Sequence, residues 1–208
     1  HLSPCGVAVN ENLVLAYQQA LASDPVSAFG SVIAVNRAVD GNVAAAMQEL
    51  FIECVIAPGF SESPLEILAQ KKKCRLVEMP DVVVEPDMEM RSIVRGVLRQ
   101  SVDMGDPQGT EWQVVSKRQP TEAEWQALRF SWKAVQDVKP NAIVCANQAA
   151  TVGIGGGQPN RGDCVHIAAQ RAGEHARGTV MASDAFFPFP DAVEAAKGYG
   201  ITAIIQPG

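Results

Sequence analysis

The chain has 208 residues, 47% apolar and 19% charged, with a formal net charge of −6 and a pI near 5.1. That length buries a sizeable core, in one domain or two small ones. The acidic balance argues against a nucleic-acid surface, which needs clustered Lys and Arg to release phosphate counterions.

Apolar runs of strand type alternate with runs of helix type, the pattern of an α/β protein whose sheet is covered by helices. Residues 11–23 read as a helix stopped by Asp24-Pro25, and residues 31–36 as a strand after the Phe29-Gly30 turn. Residues 43–50 suggest a second helix, and 51–57 a buried strand closed by Pro58-Gly59. Glu53, inside that run, has to be paired, ligand-facing or protonated if it is buried, because an unpaired buried acid is costly. Ser63-Pro64-Leu65-Glu66 has Ser at a cap, Pro at the first helical position and Glu three residues after Ser, which predicts a helix to about residue 72. Residues 74–78 return as a strand. Residues 80–120 hold Pro80, Pro86, Pro107, Pro120 and the turn-rich Asp103-Met-Gly-Asp-Pro-Gln-Gly109, and read as an irregular bridge between two halves.

Thr121 and Glu124 form a capping box, and Trp125, Leu128, Trp132 and Val135 recur at helical spacing until Pro140. The Trp pair reads as core rather than as a cofactor stack. Strands follow at 142–146 and, as its hairpin partner or neighbour, at 151–154. A helix at 163–172, a strand at 179–182, a helix at 191–197 and a strand at 201–206 complete the series, and the chain stops at Pro207-Gly208. A free edge at 201–206 would invite association.

Several stretches have the residue types that chemistry needs. The run from Met181 to Asp191 sets two acids, three phenylalanines and two prolines between a strand and a helix. Such a rigid aromatic turn at the C-terminal end of a strand is where open α/β sheets grip ligands, with Asp191 capping the helix; alternatively its three rings are core residues at a tight bend. The glycine-rich residues 153–161 are neither GxGxxG nor a Walker sequence. Their amides can approach an anion beside Arg161, or their glycines can serve close strand–helix packing. Asn141 can cap the preceding helix or face a ligand. His1 opens a Pro/Gly turn, where a terminal histidine is normally just disordered.

Other chemistries find less support. The cysteines at 5, 54, 74, 145 and 164 are odd in number and form no CxxC, and read as reduced, mostly buried thiols. The histidines at 1, 166 and 175 have neither HxH nor HExxH spacing, which disfavours zinc. Lys71-Lys72-Lys73 and Lys117-Arg118 read as solvated ends rather than binding patches. No stretch of 18 apolar residues and no signal-peptide grammar occurs, so the expectation is a cytoplasmic protein with no membrane partner.

The strings His1-Leu-Ser-Pro-Cys-Gly6, Asp24-Pro-Val-Ser-Ala-Phe-Gly30, Val55-Ile-Ala-Pro58, Asp87-Met-Glu-Met-Arg91, Lys117-Arg-Gln-Pro-Thr121, Lys139-Pro-Asn-Ala-Ile-Val144, Gly153-Ile-Gly-Gly-Gly-Gln-Pro-Asn-Arg161, Ser183-Asp-Ala-Phe-Phe-Pro-Phe189 and Ile201-Thr-Ala-Ile-Ile-Gln-Pro-Gly208 occur in this order. Together they resemble, over nearly the whole chain, the AICAR transformylase domain of the AICAR transformylase/IMP cyclohydrolase bienzymes. The resemblance implies formyl transfer from 10-formyltetrahydrofolate to the 5-amino group of AICAR in purine synthesis. It implies His1 as the proton-transferring histidine and Asn141 as the asparagine that orients substrate. It puts Gly30, Glu53, Arg161 and Phe186 on AICAR contacts, and Gly162, Pro188 and Asp191 on the folate side, with Gly162 in place of a larger apolar residue.

The same resemblance suggests a structural potassium ion near Ser183-Asp184, no zinc, AICAR and folate as small-molecule partners, and a homodimer in the complete protein. Its fold expectation is a tandem of cytidine-deaminase-like α/β/α three-layer units over 1–105 and 106–208, the second one incomplete. The lysine that precedes the histidine in the family, the C-terminal segment and the cyclohydrolase domain have no counterpart in this sequence. The expectation is therefore a truncated piece of a transformylase domain. A competing reading is a non-catalytic fragment with at most weak folate or nucleotide binding.

Overall fold

The computed structural model describes residues 3–71, 73–81 and 88–208. In its first part a helix, α1 (Leu13–Ser23), precedes a parallel three-stranded sheet of β1 (Ser31–Ala34), β2 (Ile52–Ala57) and β3 (Arg75–Glu78), in that order. The crossovers contain α2 (Gly41–Ala46) and α3 (Glu62–Ala69). Asn12 caps α1 through its side-chain oxygen, and Asp40 caps α2 in the same way. Tyr17, Val43, Met47, Val55 and Leu68 form the core between these helices and one face of the sheet. On the other face Val32 and Val77 are exposed.

Three expectations change in this part. The 51–57 run is not uniformly buried, and Glu53 is exposed, so it needs no compensating partner. The cap of α3 lies two residues before the expected one: Ser61 is the N-cap, and Pro64 lies inside the first turn, where the missing N–H would have had no intrahelical partner anyway. The bridge at 80–120 contains a regular antiparallel hairpin, β4 (Met88–Ile93) with β5 (Gly96–Ser101). Its two-residue loop holds Arg95 at φ 66°, a conformation that Asn or Gly would have signalled and Arg does not.

The second part is a four-stranded sheet in the order β7 (Thr151–Gly155), β6 (Ile143–Ala146), β8 (Val180–Ser183), β9 (Ala203–Ile205). β6 is antiparallel to both neighbours, whereas β8 and β9 are parallel. α4 (Glu122–Gln136) covers one face, and α5 (Arg161–Ala172) with α6 (Asp191–Gly198) covers the other. Side-chain alternation sorts the strands between these layers. Val144, Ala146 and Ala182 pack with Ala134 and Val135 of α4, while Ile143, Cys145 and Met181 pack with Cys164, Val165, Ala192 and Ala196. β9 is the free edge expected at 201–206.

The capping box at Thr121 and Glu124 forms as expected, and Arg118 grips the same carboxylate at 2.8 and 2.9 Å while donating to Thr202 O at 2.6 Å. Trp125 and Trp132 are partly buried and join Trp112, with centroids 6.0 and 6.4 Å away. Trp132 Nε1 donates to Asp106 Oδ2 at 2.7 Å, which ties the linker to α4. Gly153 and Gly155 answer the packing alternative: an added Cβ would lie 2.0 Å from Ala168 O and 2.2 Å from Cys164 O, so α5 rests directly on β7.

The two parts meet through the amino-terminal segment. Thr151 N donates to Val7 O at 2.9 Å, Val7 N donates to Thr151 Oγ1 at 3.0 Å, and Ser23 Oγ lies 2.9 Å from that hydroxyl. Arg171 pairs with Asp24 at 3.5 Å.

Two consequences follow for stability. The Arg118 hydrogen bond holds the Glu124 carboxyl at about 2, against an ordinary 4.5. A depressed acid stabilises the fold above its unfolded pKa and loses that contribution as pH falls through the folded one. Urea midpoints should therefore fall between pH 4.5 and about 2 in the wild type, and fall less steeply over that range in Glu124→Gln. Gly155→Ala should cost about 3 kcal/mol in urea unfolding, because helix and strand have to separate.

Candidate functional site

Sheet geometry brings three chain segments to one point. β6 and β8 run antiparallel with Ile143 opposite Ser183, so the start of β6 lies beside the end of β8. Asp184 Oδ1 accepts from Ala142 N at 2.9 Å, and Asp184 N donates to Ala142 O at 3.2 Å. After β7 the glycine-rich loop, with Gly157 at φ 75°, delivers Arg161 as the first residue of α5. The helix begins two residues earlier than the sequence pattern indicates, since Asn160 caps it by accepting from Gly162 N at 2.7 Å.

Arg161 is the hub. Its guanidinium pairs with Asp184, donates to Ser183 Oγ at 3.0 Å and donates to Asn141 Oδ1 at 2.7 Å. The Arg161 and Asp184 side chains are 13% and 18% exposed, enough burial for the ion pair to be screened far less than a surface one. Asn141 neither caps α4 nor stands free: its Nδ2 donates to Gln158 O at 2.9 Å and Pro159 O at 3.1 Å, pinning the glycine-rich loop. Cys164 Sγ lies 3.1 Å from Asn141 O. Burial pushes that thiol up, and pushes Cys145 to about 12, so neither is a thiolate nucleophile near neutrality. Only these two of the five cysteines are fully buried, fewer than expected; Cys5, Cys54 and Cys74 are partly exposed.

The aromatic turn lies next to this hub. Phe187 packs on the α5–α6 side of the sheet, whereas Phe186 and Phe189 are 57% and 68% exposed, which removes the core reading for two of the three rings. Pro188 is exposed beside them. Asp191 does not cap α6: it is the first helical residue, its Oδ1 accepts from Ala192 N at 2.8 Å, and Pro190 is at the cap position. Gly162 leaves a notch here. A Cβ at that position would be 3.2 Å from Asn160 Oδ1 and 4.0 Å from Asp191 Oδ2.

Gly30 and Glu53 lie elsewhere, at the N-terminal ends of β1 and β2 in the three-stranded sheet. Gly30, at φ 79°, donates to Phe51 O at 2.8 Å. The Phe29 and Phe51 rings lie 5.1 Å apart, tilted by 41°, beside a cavity of about 440 Å³ lined by Phe51, Glu53, Lys73, Cys74 and Arg75. No hydrogen bond among the described residues links this group to Asn141, Arg161 or Asp184. His1 lies outside the described residues; Ser3, the first of them, accepts from Lys139 N at 2.9 Å.

Asp184 and Ser183 complete this cluster, a position that residue-pattern reading did not assign and that the resemblance gave only to a cation, although the acid inside the Met181–Asp191 run was a signal. Their oxygens do not suit the potassium ion that the resemblance suggested. Asp184 Oδ1 already accepts from Ala142 N and a guanidinium, and Ser183 Oγ donates to Ala185 O at 2.7 Å. A cation there would displace Arg161 or be repelled by it.

The family model described as AICARFT/IMPCHase bienzyme matches residues 1–171. All 208 residues align at 48% identity with the bifunctional purine biosynthesis protein PurH of Synechococcus elongatus, over 40% of that protein's length. The proteins of the same name from Enterococcus faecalis and Halalkalibacterium halodurans align with the whole chain at 49% and 47% identity, over 41% of each. The chain thus spans about 40% of the length of the curated relatives it matches.

Asp184→Asn, which leaves Arg161 half-buried without its counter-charge, should cost about 2 kcal/mol in urea unfolding. A double-mutant cycle with Arg161→Gln should return a coupling of about 1 kcal/mol or more.

Proposed function

Because the chain belongs to the AICARFT/IMPCHase bienzyme family, we propose that it carries part of the machinery that transfers a formyl group from 10-formyltetrahydrofolate to AICAR in purine biosynthesis. The observation that carries this reading is the meeting of Asn141 and Arg161 beside an exposed Phe186, with Gly162, Pro188 and Asp191 along the adjoining rim. A charged donor, an amide and an exposed ring suit a planar, polar nucleotide base, and an exposed carboxylate suits the amino-bearing edge of a pterin.

The chemistry sets demands on these groups. The AICAR amine is a weak nucleophile because its lone pair is delocalised into the ring carboxamide. Its attack on the formyl carbon forms a C–N bond, breaks the bond from that carbon to the folate nitrogen, and moves one proton from the amine to the leaving nitrogen. A base near neutral pKa serves the first proton movement, and donors serve the developing oxyanion. We assign the base to His1 and the orientation of AICAR to Asn141. Ser3 is fixed at Lys139, two residues from Asn141, and two residues of chain reach at most about 7 Å. Arg161, Gly30, Glu53 and Phe186 contact AICAR in this reading, and Gly162, Pro188 and Asp191 face the folate.

The two parts correspond to subdomains at 1–105 and 106–208, each of cytidine-deaminase-like type. Support comes from a repeated unit: β1, α2 and β2 followed by Pro58-Gly59, and β8, α6 and β9 followed by Pro207-Gly208, are both parallel βαβ crossovers. A homodimer and a cytoplasmic location complete the proposal; no helix among the described residues is long and apolar enough to cross a membrane. A second reading, a non-catalytic fragment with weak folate or nucleotide binding, is favoured by the separation of Gly30 and Glu53 from the Arg161 hub.

Formyl transfer, followed by tetrahydrofolate absorbance, separates the two readings when this chain is assayed beside one extended to the length of its relatives. Activity is expected in the extended protein, with Asn141→Ala lowering kcat about 100-fold and His1→Ala abolishing turnover while AICAR binding stays measurable. No activity in either protein would overturn the proposal.

A further inference from the structure

Two cations line the cavity at the N-terminal edge of the three-stranded sheet. Lys73 and Arg75 share its wall with Phe51, Glu53 and Cys74. Among the described residues, none of Lys73, Arg75 and Glu53 is in an ion pair, although all three line the same cavity. Two cations and one carboxylate that do not pair leave the cavity an excess of positive charge and uncommitted N–H donors.

The wall is anchored on both sides. Lys71 Nζ donates to Leu50 O at 2.8 Å and also to Gln48 O, which ties the turn after α3 to the segment just before β2. Cys74 N donates to Lys71 O at 2.8 Å and closes that turn around Lys73. Arg75 then enters β3 opposite Cys54, the residue after Glu53. Across the cavity, Phe51 packs against Phe29 and its carbonyl accepts from Gly30 N. The basic run that sequence alone reads as a solvated end is thus divided: Lys71 is a structural hook, Lys73 lines the cavity, and Lys72 lies outside the described residues.

The charges select a ligand. The planar fork of an arginine matches two phosphate oxygens, and a lysine adds a point charge for a third. A lone carboxylate would leave one of the two cations unmatched. Glu53 only accepts, so it repels a second anion and suits a group that carries hydroxyls. The Phe51 ring gives the remaining wall an apolar surface against which sugar C–H groups can pack.

We propose that this cavity binds a sugar phosphate, with Lys73 and Arg75 on the phosphate oxygens and Glu53 accepting from sugar hydroxyls. The site stands on its own geometry. It rests on the functional reading only where the sugar phosphate is that of AICAR rather than a free one, and the test tells these sources apart.

Amide NMR spectra of the 208-residue chain, titrated with ribose 5-phosphate to about 10 mM, should show shifts at Phe51–Cys54 and Cys74–Arg75 with a Kd of about 1 mM. Ribose should leave those amides unmoved. Lys73→Gln and Arg75→Gln should each weaken binding about tenfold and leave the fold intact, since both side chains are exposed and unpaired. AICAR and its dephosphorylated riboside identify the source. Shifts at the same amides with AICAR and not with the riboside assign the phosphate to AICAR; shifts with ribose 5-phosphate alone assign the site to a separate sugar phosphate. The proposal is overturned if ribose 5-phosphate leaves these amides unmoved, if ribose moves them equally, or if binding is unchanged in both variants. Formyl transfer plays no part in this readout, so failure of the site and failure of the functional reading are distinguishable.

Discussion

The ion pair between Arg161 and Asp184 is the constraint on which the rest of the candidate site depends. Its carboxylate also accepts from the Ala142 amide, and its guanidinium also reaches Asn141 and Ser183. One charged contact thus joins the end of β8, the start of β6 and the first turn of α5. A charge-assisted bond in a half-buried setting is directional and poorly screened, so it fixes angles as well as distances. Asn141 extends that order to the glycine-rich loop through Gln158 and Pro159. The loop has no phosphate-binding sequence; it is shaped by an amide that grips its carbonyls.

The glycines upstream make this arrangement possible. α5 can deliver Arg161 to the sheet edge only because Gly153 and Gly155 let the helix backbone touch β7. The burial of the thiol at Cys164 belongs to the same close packing. Stability and site geometry are therefore one problem here: anything that lifts α5 from β7 also moves the guanidinium.

Locally encoded features were legible in the sequence. Thr121 and Glu124 specify their helix start within four residues, and every strand of the four-stranded sheet could be read from its apolar run. Non-local ones were not. Asp184 and Arg161 are 23 residues apart, and no periodicity pairs them. The hairpin at 88–101 was missed because its loop lacks Asn-Gly, and Arg95 takes the left-handed conformation without the usual residue to announce it. Ser63 looked like the cap of α3 because Pro64 follows it, but a first helical turn accepts Pro at several positions, so that signal does not fix the start. The exposed Phe186 and Phe189 beside a partly buried Phe187 are not resolved by composition alone.

The joint at Thr151 has a kinetic consequence. Residues 7 and 151 are 144 positions apart, and Lys139 and Ser3 are 136 apart. Closing so large a loop is entropically costly before any contact rewards it. During synthesis residues 3–9 leave the ribosome before residues 139–151, so their strand partner does not yet exist at that point. They stay undocked while α1 and the three-stranded sheet assemble, and settle only when β6 and β7 have emerged. A segment made long before its partners is thus among the last to find its place, and throughout that interval it remains open to proteases and chaperones.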